Sequence, residues 1–187
     1  MLCKEESFEM TDLAAAGSTT YSGNFRMKKP DNVQLAIPEA PELISREALK
    51  AFLEVPRAND SSVEIIDVRS YEEFASGAIT GSVNIPYETF TPDAAKELAQ
   101  KHYGTVGHSV VFASTQSPDL DLSAALVLMG ACQEVGVKGL EVLILQMGLL
   151  GWFQAYGDNV ALTQNFLSEK WQPILSQLKS PSKGSNA

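Results

Sequence analysis

The stretch that decides the fold lies at residues 63–86, which read VEIIDVRSYEEFASGAITGSVNIP. Its first residues, 63–66, form a short apolar run that is typical of a buried strand. Ser70 and Glu73 have the spacing of a capping box, which predicts the start of a short helix. Residues 82–85, which read SVNI, then predict a second strand, which the following proline stops. The stretch therefore predicts a strand, a helix and another strand in close succession.

The same alternation continues towards the C-terminus. Residues 110–112 and 142–145 are apolar runs that predict two further buried strands. Short apolar strands that alternate with helices indicate a mainly parallel sheet with helices on both faces. We therefore expect an α/β fold, a three-layer sandwich around a central sheet of about five strands. In such a sheet, functional loops lie at the carboxyl ends of the strands.

Three longer helices are predicted around these strands. An N-cap signal at Thr91 predicts a helix that runs to about residue 103. A second helix is expected over residues 123–134. Thr163 can cap a final helix, which Pro173 is expected to restart or kink. The final helix carries an apolar stripe that can dock on its own domain, as we expect, or on another protein. This stripe consists of Trp171, Ile174, Leu175 and Leu178.

Composition divides the 187-residue chain into four segments. Residues 1–40 are rich in small and polar side chains, which predicts an extended or disordered arm. Residues 41–160 carry the alternating strands and helices and form the expected α/β domain. Residues 161–179 are a C-terminal helical segment, and residues 180–187 are a polar, disordered tail.

Charge and cysteine content narrow the classes of function. The formal net charge of -9 argues against binding to nucleic acid or to anionic membranes, which requires clustered Lys and Arg. Cys3 and Cys132 lie far apart and show no metal-ligand spacing, so we expect neither a metal nor a cofactor. No apolar run is long enough to cross a membrane, and the N-terminus lacks a signal-peptide pattern. We expect a cytoplasmic protein or a cytosol-derived assembly, such as the cytoskeleton or a cilium, with a mitochondrial location left open.

Within the deciding stretch, three segments resemble the first signature of rhodanese-like domains. These segments are IIDVR at 65–69, EEF at 72–74 and GAITGSVNIP at 77–86. The family pattern is roughly I-D-V-R, E-E-F/Y and G-H-I-x-G-A/S-x-N-I/L-P, with the same spacing. Ala78 stands where the family has its histidine. The resemblance implies the rhodanese-like three-layer sandwich, and it extends over residues 41–160.

The residues after the strand predicted at 110–112 resemble the second signature in the subtype of Cdc25 phosphatases and arsenate reductases. That signature reads V-V-F-H-C, five residues, and then R-G-P before a helix. Here Ala113 and Ser114 stand at the histidine and cysteine positions. Leu120 stands at the arginine position, and Asp121 follows it where the family has glycine. Strand, loop length and helix start are otherwise expected to match the family.

The lost residues predict that the family's chemistry is absent. Both sulfur transfer and phosphatase chemistry require a thiolate, whereas a serine hydroxyl needs a general base that this loop is expected to lack. His108 precedes the strand that leads to Ser114, so it should lie at the opposite edge of the sheet. Asp119 and Asp121 place negative charge where the family binds an anion. Cys132 lies inside the following helix and is expected to be a buried apolar residue.

Other candidate residues have structural or binding roles in this interpretation. Asp67 and Arg69 are expected to tie a strand end to its neighbouring loop. Gly148 and Trp152 belong to a segment that resembles the family's closing strand and its G-F/Y-x-x-W motif, and they are expected to be structural. The polar residues of the degenerate loop are candidates for binding a partner. They are Thr115, Gln116, Ser117 and Asp119.

The leading hypothesis from the sequence is a non-catalytic module for protein-protein interaction within a larger assembly. Its protein partners would bind through residues 1–40 and the C-terminal helix. One alternative is an active sulfurtransferase or phosphatase-type enzyme with an atypical loop at Ser114. Another is a sensor that binds a small ligand in the vacant pocket, where Asp119 and Asp121 would favour a cation or a neutral molecule over phosphate.

Overall fold

The structure is a computed structural model that describes residues 40–54, 62–104, 107–115 and 118–179. The N-terminal arm predicted at 1–40 lies outside these residues except for Ala40, and so does the tail predicted at 180–187. The regular elements alternate between strand and helix along the chain. In chain order they are β1 Glu42–Ile44, α1 Arg46–Glu54, β2 Val63–Asp67, α2 Tyr71–Ala75, β3 Ala78–Ile79, β4 Val83–Asn84, α3 Pro92–Lys101, β5 Ser109–Ala113, α4 Pro118–Val135, β6 Glu141–Leu145, α5 Gly148–Tyr156, β7 Thr163–Gln164 and α6 Ser168–Lys179.

A five-stranded parallel sheet in the order β1-β6-β5-β2-β4 forms the centre of the fold. β5 is its middle strand and is buried along its whole length, as expected of a strand covered on both faces. The short strands β3 and β7 pair antiparallel in a separate two-stranded sheet. The expected α/β fold with a mainly parallel sheet is confirmed.

Alternate residues of the strands feed two separate cores, one on each face of the sheet. Val111 and Leu143 pack with residues of α1, α5 and α6 on one face. Val110 and Phe112 pack with residues of α3 and α4 on the other face. Because side chains alternate along a strand, one apolar run supplies both cores. The three-layer arrangement follows from this packing.

The helix α4 begins earlier than the sequence analysis predicted. It starts at Pro118, and the predicted start lay five positions later, at Ser123. Proline is favoured at the first helical position because its missing N–H has no intrahelical partner there. Asp119 and Asp121 in the first turn stabilise the positive end of the helix dipole. Leu120 and Asp121 are therefore helical residues, and the predicted start of this helix was wrong.

The C-terminal region also differs from the prediction. Thr163 does not cap a helix but lies in β7, where its hydroxyl donates to the Tyr156 carbonyl at 2.8 Å. The helix α6 begins at Ser168 and continues through Pro173 without restarting. On this helix, the Trp171 indole N–H donates to the Ser76 carbonyl at 2.7 Å. Trp171 and Leu175 are buried in the core beside α5, so α6 docks on its own domain.

Ile174 and Leu178, the other two residues of the predicted stripe, are exposed to 38% and 48%. Only half of that stripe is therefore used in packing against the domain. None of the helices in the described ranges has the length and apolar character that crossing a membrane requires.

Candidate functional site

The carboxyl ends of β2, β5 and β6 meet at one edge of the sheet, where the predicted site residues lie. These strands are neighbours and parallel, and Asp67 at the end of β2 is in register with Ala113 at the end of β5. Ser114 follows β5, and Gln146 follows β6. In an open parallel sheet this edge is where binding sites form.

Ser114, at the position of the family's nucleophile, is buried and its hydroxyl is hydrogen-bonded. It is 1% exposed, and its hydroxyl donates to Oδ2 of Asp121 at 2.9 Å. The early start of α4 makes this contact, because it brings Asp121 back over the end of β5. No acceptor for the Ser114 hydroxyl was predicted from the sequence. The structure corrects this, since the Asp121 carboxylate accepts a hydrogen bond from that hydroxyl.

Asp121 is a buried carboxylate with half of its hydrogen-bonding capacity unused. It is 2% exposed, and its Oδ1 is buried without a hydrogen-bond partner. Burial raises the pKa of Asp121 to about 6, against the lowering effect of the Ser114 hydroxyl and backbone amide. The carboxylate of Asp67 raises the pKa further. The group therefore ionises near neutral pH.

The chain after β5 binds the start of α5 through its own carbonyl groups. The Leu149 N–H donates to the Ser114 carbonyl at 2.7 Å, and the Leu150 N–H donates to the Thr115 carbonyl at 3.2 Å. These are orphan donors of the first turn of α5, which would otherwise be available to a ligand. The segment thus presents carbonyl oxygens to a helix N-terminus, where the family's loop presents amides to an anion.

Gly148 is required for this close approach. Its φ is +56°, and a Cβ atom built there would lie 2.5 Å from the Ser114 carbonyl oxygen. Any side chain would push α5 away from the end of β5. Trp152, one turn later, is fully buried, and its indole N–H donates to the Thr163 hydroxyl at 3.1 Å. Both residues, expected to be structural, make packing contacts.

Asp67 and Arg69 form a buried ion pair beside the serine site. The Arg69 Nη2 donates to Asp67 Oδ2 at 2.7 Å and to the Gly77 carbonyl at 2.6 Å. The Arg69 Nε and backbone N–H also donate to Asp67 Oδ1, each at 3.0 Å. The guanidinium lies against the rings of Phe153 and Trp171. The pair ties the end of β2 to the loop before β3, the contact expected from the sequence.

The remaining polar candidates are scattered. Thr115 has a buried hydroxyl without a hydrogen-bond partner, and Asp119 is exposed on the first turn of α4. Gln116 and Ser117 lie outside the described residues. Among the described residues, no group of three or more His, Cys, Asp or Glu side chains could hold a metal ion.

The remaining histidine and cysteine lie far from the site. His108 lies at the amino edge of the sheet, 2.9 Å from the Ser62 hydroxyl. Cys132 is buried in α4, and burial raises the pKa of its thiol. Cys132 and Asp121 are separated by about 16 Å along the axis of α4.

A cavity of about 290 Å³ opens beside Asp121, between β1 and the turn that joins β6 to α5. It is lined by Leu43, Asp121, Ile144, Leu145, Gln146, Met147 and Gly148. This cavity could not be predicted from the sequence, because β1 has only three residues and shows no alternation of apolar and polar side chains. The exposed residues at its rim, Leu43 and Met147, carry no motif that would have indicated it.

Comparisons with known proteins agree with this geometry. The family model described as rhodanese-like domain matches residues 46–155. A yeast protein, Ygr203w, described as a protein tyrosine phosphatase of the rhodanese family, has a similar structure with a TM-score of 0.62 at 19% identity. The match covers 71% of this chain and 97% of the yeast chain. No curated protein matches the chain.

The As-Sb reductase of Leishmania major is also similar, with a TM-score of 0.57 at 24% identity. That match covers 64% of this chain and 81% of the reductase chain. At these identities the similarity concerns the fold. It agrees with the resemblance to the Cdc25 and arsenate reductase subtype.

Proposed function

The chain belongs to the rhodanese-like domain family, and we propose that it is a non-catalytic module for protein-protein interaction. One observation carries this proposal. The residue at the family's nucleophile position, Ser114, is a buried serine whose hydroxyl is bound by Asp121 and whose carbonyl is bound by α5. Such a residue serves as a junction between β5, α4 and α5.

The first line of support is the missing thiolate. A cysteine becomes nucleophilic when cations and helix amides lower its pKa. Ser114 is instead beside a carboxylate, which disfavours any negative charge on its oxygen. Cys132 cannot substitute, because burial raises the pKa of its thiol and it lies near the C-terminal end of α4, far from Ser114.

The second line of support is the state of the anion cradle. A bound oxyanion needs free backbone amides and a cation. Here the first-turn amides of α5 bind the carbonyls of Ser114 and Thr115, and the first turn of α4 carries Asp119 and Asp121. The nearby Arg69 donates through Nε and Nη2 to Asp67 and Gly77 and is 3% exposed, so its charge is already paired with a carboxylate. These α5 amides and the charge of Arg69 are therefore engaged by the chain's own groups, which favours a site that does not bind phosphate or arsenate.

The third line of support is the exposed apolar surface at the same edge of the sheet. Leu43 and Met147 are 65% and 66% exposed, and they flank the cavity. Leu122 and Leu126 are exposed one turn apart on α4. Exposed apolar side chains beside the cavity and on α4 favour a protein contact, which would bury them. The net charge of -9 suits a partner with a basic rim.

Site-specific photocrosslinking in the native cells tests this proposal. A benzoylphenylalanine residue is placed at Leu126 in the full-length chain, and a matched variant carries it at Tyr103, which is more exposed but lies at the amino edge of the sheet. We expect a discrete crosslinked protein from Leu126 and none from Tyr103. Affinity purification of the full chain and of a chain lacking residues 1–40 then shows whether the arm contributes. No crosslink at Leu126, together with a full chain that elutes as a free monomer from native extract, would contradict the proposal.

The hydrogen bond from Ser114 to Asp121 favours one alternative, a serine-dependent hydrolase in which Asp121 is the base. Against it, a carboxylate with a pKa of about 6 is a weak base for a hydroxyl, and no histidine lies between the two. Turnover of ester or phosphate substrates that is lost in Ser114→Ala would establish this alternative.

A further inference from the structure

The cavity beside Asp121 has the character of a small ligand site. Its volume of about 290 Å³ lies at the lower end of the range for small-molecule pockets, about 300–1,000 Å³. Its walls are mainly apolar and come from the ends of β1 and β6 and from the turn at Met147. One charged side chain, Asp121, lies among these apolar residues. Ligand pockets commonly combine an apolar body with a few well-placed polar groups.

Asp121 carries an unmet demand for a hydrogen-bond donor. Its Oδ2 is held by Ser114, while Oδ1 is buried and has no partner. Leaving a buried acceptor unpaired is costly, and it is more costly for an ionised group. The buried cation Arg69 donates to Asp67, and none of the described residues donates a hydrogen bond to Oδ1 of Asp121. The ligand that fits must therefore bring a donor.

We propose that this cavity binds a small primary amine with an apolar body, whose ammonium group donates to Oδ1 of Asp121. An anionic ligand is disfavoured because the carboxylate repels it. A purely apolar ligand would exclude water and leave Oδ1 unpaired. An alkylammonium ion satisfies both the apolar walls and the carboxylate. This assignment goes beyond the proposed interaction role and does not depend on it.

The backbone at the rim supports a binding role. Met147 has a φ of 62°, a left-handed conformation that costs energy for a residue with a side chain. It nevertheless holds its side chain in solvent at the mouth of the cavity, opposite Leu43 on β1. Strained residues of this kind are concentrated at ligand sites. Both side chains can fold over a bound alkyl group.

Binding is tested on the full-length protein with three six-carbon probes, hexylamine, hexanol and hexanoate, by calorimetric titration and by amide NMR shifts at pH 7.5. We expect hexylamine to bind about tenfold more tightly than hexanol, which is the size of a charge-assisted hydrogen bond, and hexanoate not to bind. The shifts should be centred on residues 144–148. Equal affinity for the three probes, or binding elsewhere, would overturn the proposal.

Two variants assign the effect to the carboxylate. Asp121→Asn should reduce hexylamine affinity to that of hexanol while leaving hexanol binding unchanged. Asp119→Asn is the matched control, because it removes an exposed carboxylate from the same helical turn and should change neither affinity. Retained amine preference in Asp121→Asn would overturn the proposal. Circular dichroism shows that each variant is folded before titration.

The ammonium group could belong to a free small amine or to a lysine side chain of another protein, and we propose the free amine. Nα-acetyl-lysine amide, which keeps its side-chain ammonium group, is the probe for a protein lysine. We expect it to bind more weakly than hexylamine, since its polar backbone cannot enter an apolar cavity. Tighter binding of the lysine probe would overturn the choice of a free amine.

Discussion

Two buried aspartates lie at the carboxyl edge of the sheet, Asp67 at the end of β2 and Asp121 in the first turn of α4, and their surroundings differ. Asp67 and Asp121 are 1% and 2% exposed. Asp67 accepts hydrogen bonds on both oxygens from the side chain and backbone of Arg69. Asp121 accepts a serine hydroxyl on one oxygen and has no partner on the other. One carboxylate is saturated and the other is half satisfied.

This difference in hydrogen bonding separates a structural carboxylate, Asp67, from one that lines a cavity, Asp121. The Asp67–Arg69 pair also binds the Gly77 carbonyl, so it fixes the path of the chain after β2, and both oxygens of Asp67 are used in doing so. Asp121 lines a cavity, and its Oδ1 has no hydrogen-bond partner among the described residues. A residue that matches the family pattern, Asp67, is therefore structural here, while Asp121, which departs from the pattern, is the residue that we propose for binding.

The largest effect is expected from breaking the saturated pair. Arg69→Met should lower the free energy of unfolding by about 3–5 kcal/mol, because it leaves the charge of Asp67 buried without compensation. Urea unfolding at pH 7.5 measures the loss. The double variant Asp67→Asn/Arg69→Met should recover part of it, since the orphan charge is then gone. A single variant that loses less than about 1 kcal/mol would show that the pair is not a structural tie.

Removing the charge of Asp121 should stabilise the fold, whereas breaking the Asp67–Arg69 pair should destabilise it. Burial raises the pKa of Asp121 above its ordinary value of 3.8 to about 6, so the folded protein binds the proton more tightly than the unfolded chain. The stabilisation is complete below about pH 4 and is lost as pH rises through about 6. Asp121→Asn, which mimics the neutral acid, should therefore be more stable than the native chain by about 1–3 kcal/mol at pH 8.

The advantage of Asp121→Asn should shrink as the pH falls to 5. Urea unfolding of the native chain, Asp121→Asn and the control Asp119→Asn at pH 5, 6.5 and 8 measures it. Asp119 is exposed, so its variant should stay within about 0.5 kcal/mol of the native chain at every pH. A stability difference between Asp121→Asn and the native chain that does not vary with pH would contradict the raised pKa.

The smallest effect is expected at the rim of the cavity. Met147→Gly should raise the free energy of unfolding by about 0.5–1 kcal/mol, because glycine adopts positive φ without steric cost. The matched control is Asn165→Gly, since Asn165 has a φ of 54° but asparagine tolerates this region. Thermal unfolding compares the two. A gain at Asn165 equal to or larger than that at Met147 would argue against strain at the rim.

Much of the fold could be predicted because its central strands are short, apolar and bounded by clear stop signals. β2, β5 and β6 lie within one or two residues of the predicted runs, and Thr91 caps α3 as its pattern indicated. The capping box at Ser70 begins α2, where the Ser70 hydroxyl accepts the Glu73 N–H at 3.3 Å. These features depend on local chemistry, which a sequence displays directly.

The errors fall where tertiary contacts decide the outcome. The start of α4 at Pro118 was obscured by the polar residues before it, which resemble a loop. Thr163 has the composition of an N-cap, but pairing with β3 places it in a strand. β1 spans three residues, and its pairing with β6 is a long-range contact that no local pattern encodes. The cavity and the free oxygen of Asp121 follow from these contacts.

The central claim is that the family's catalytic edge is occupied by the chain's own groups. The most direct test measures thiosulfate:cyanide sulfurtransferase and para-nitrophenyl phosphatase turnover for the native chain, Ser114→Ala and Ser114→Cys. We predict no turnover above the protein-free rate for any of the three, because a thiol restored at position 114 would still face Asp121 and lack an anion cradle. Turnover by the native chain that Ser114→Ala abolishes, or turnover gained in Ser114→Cys, would contradict the account.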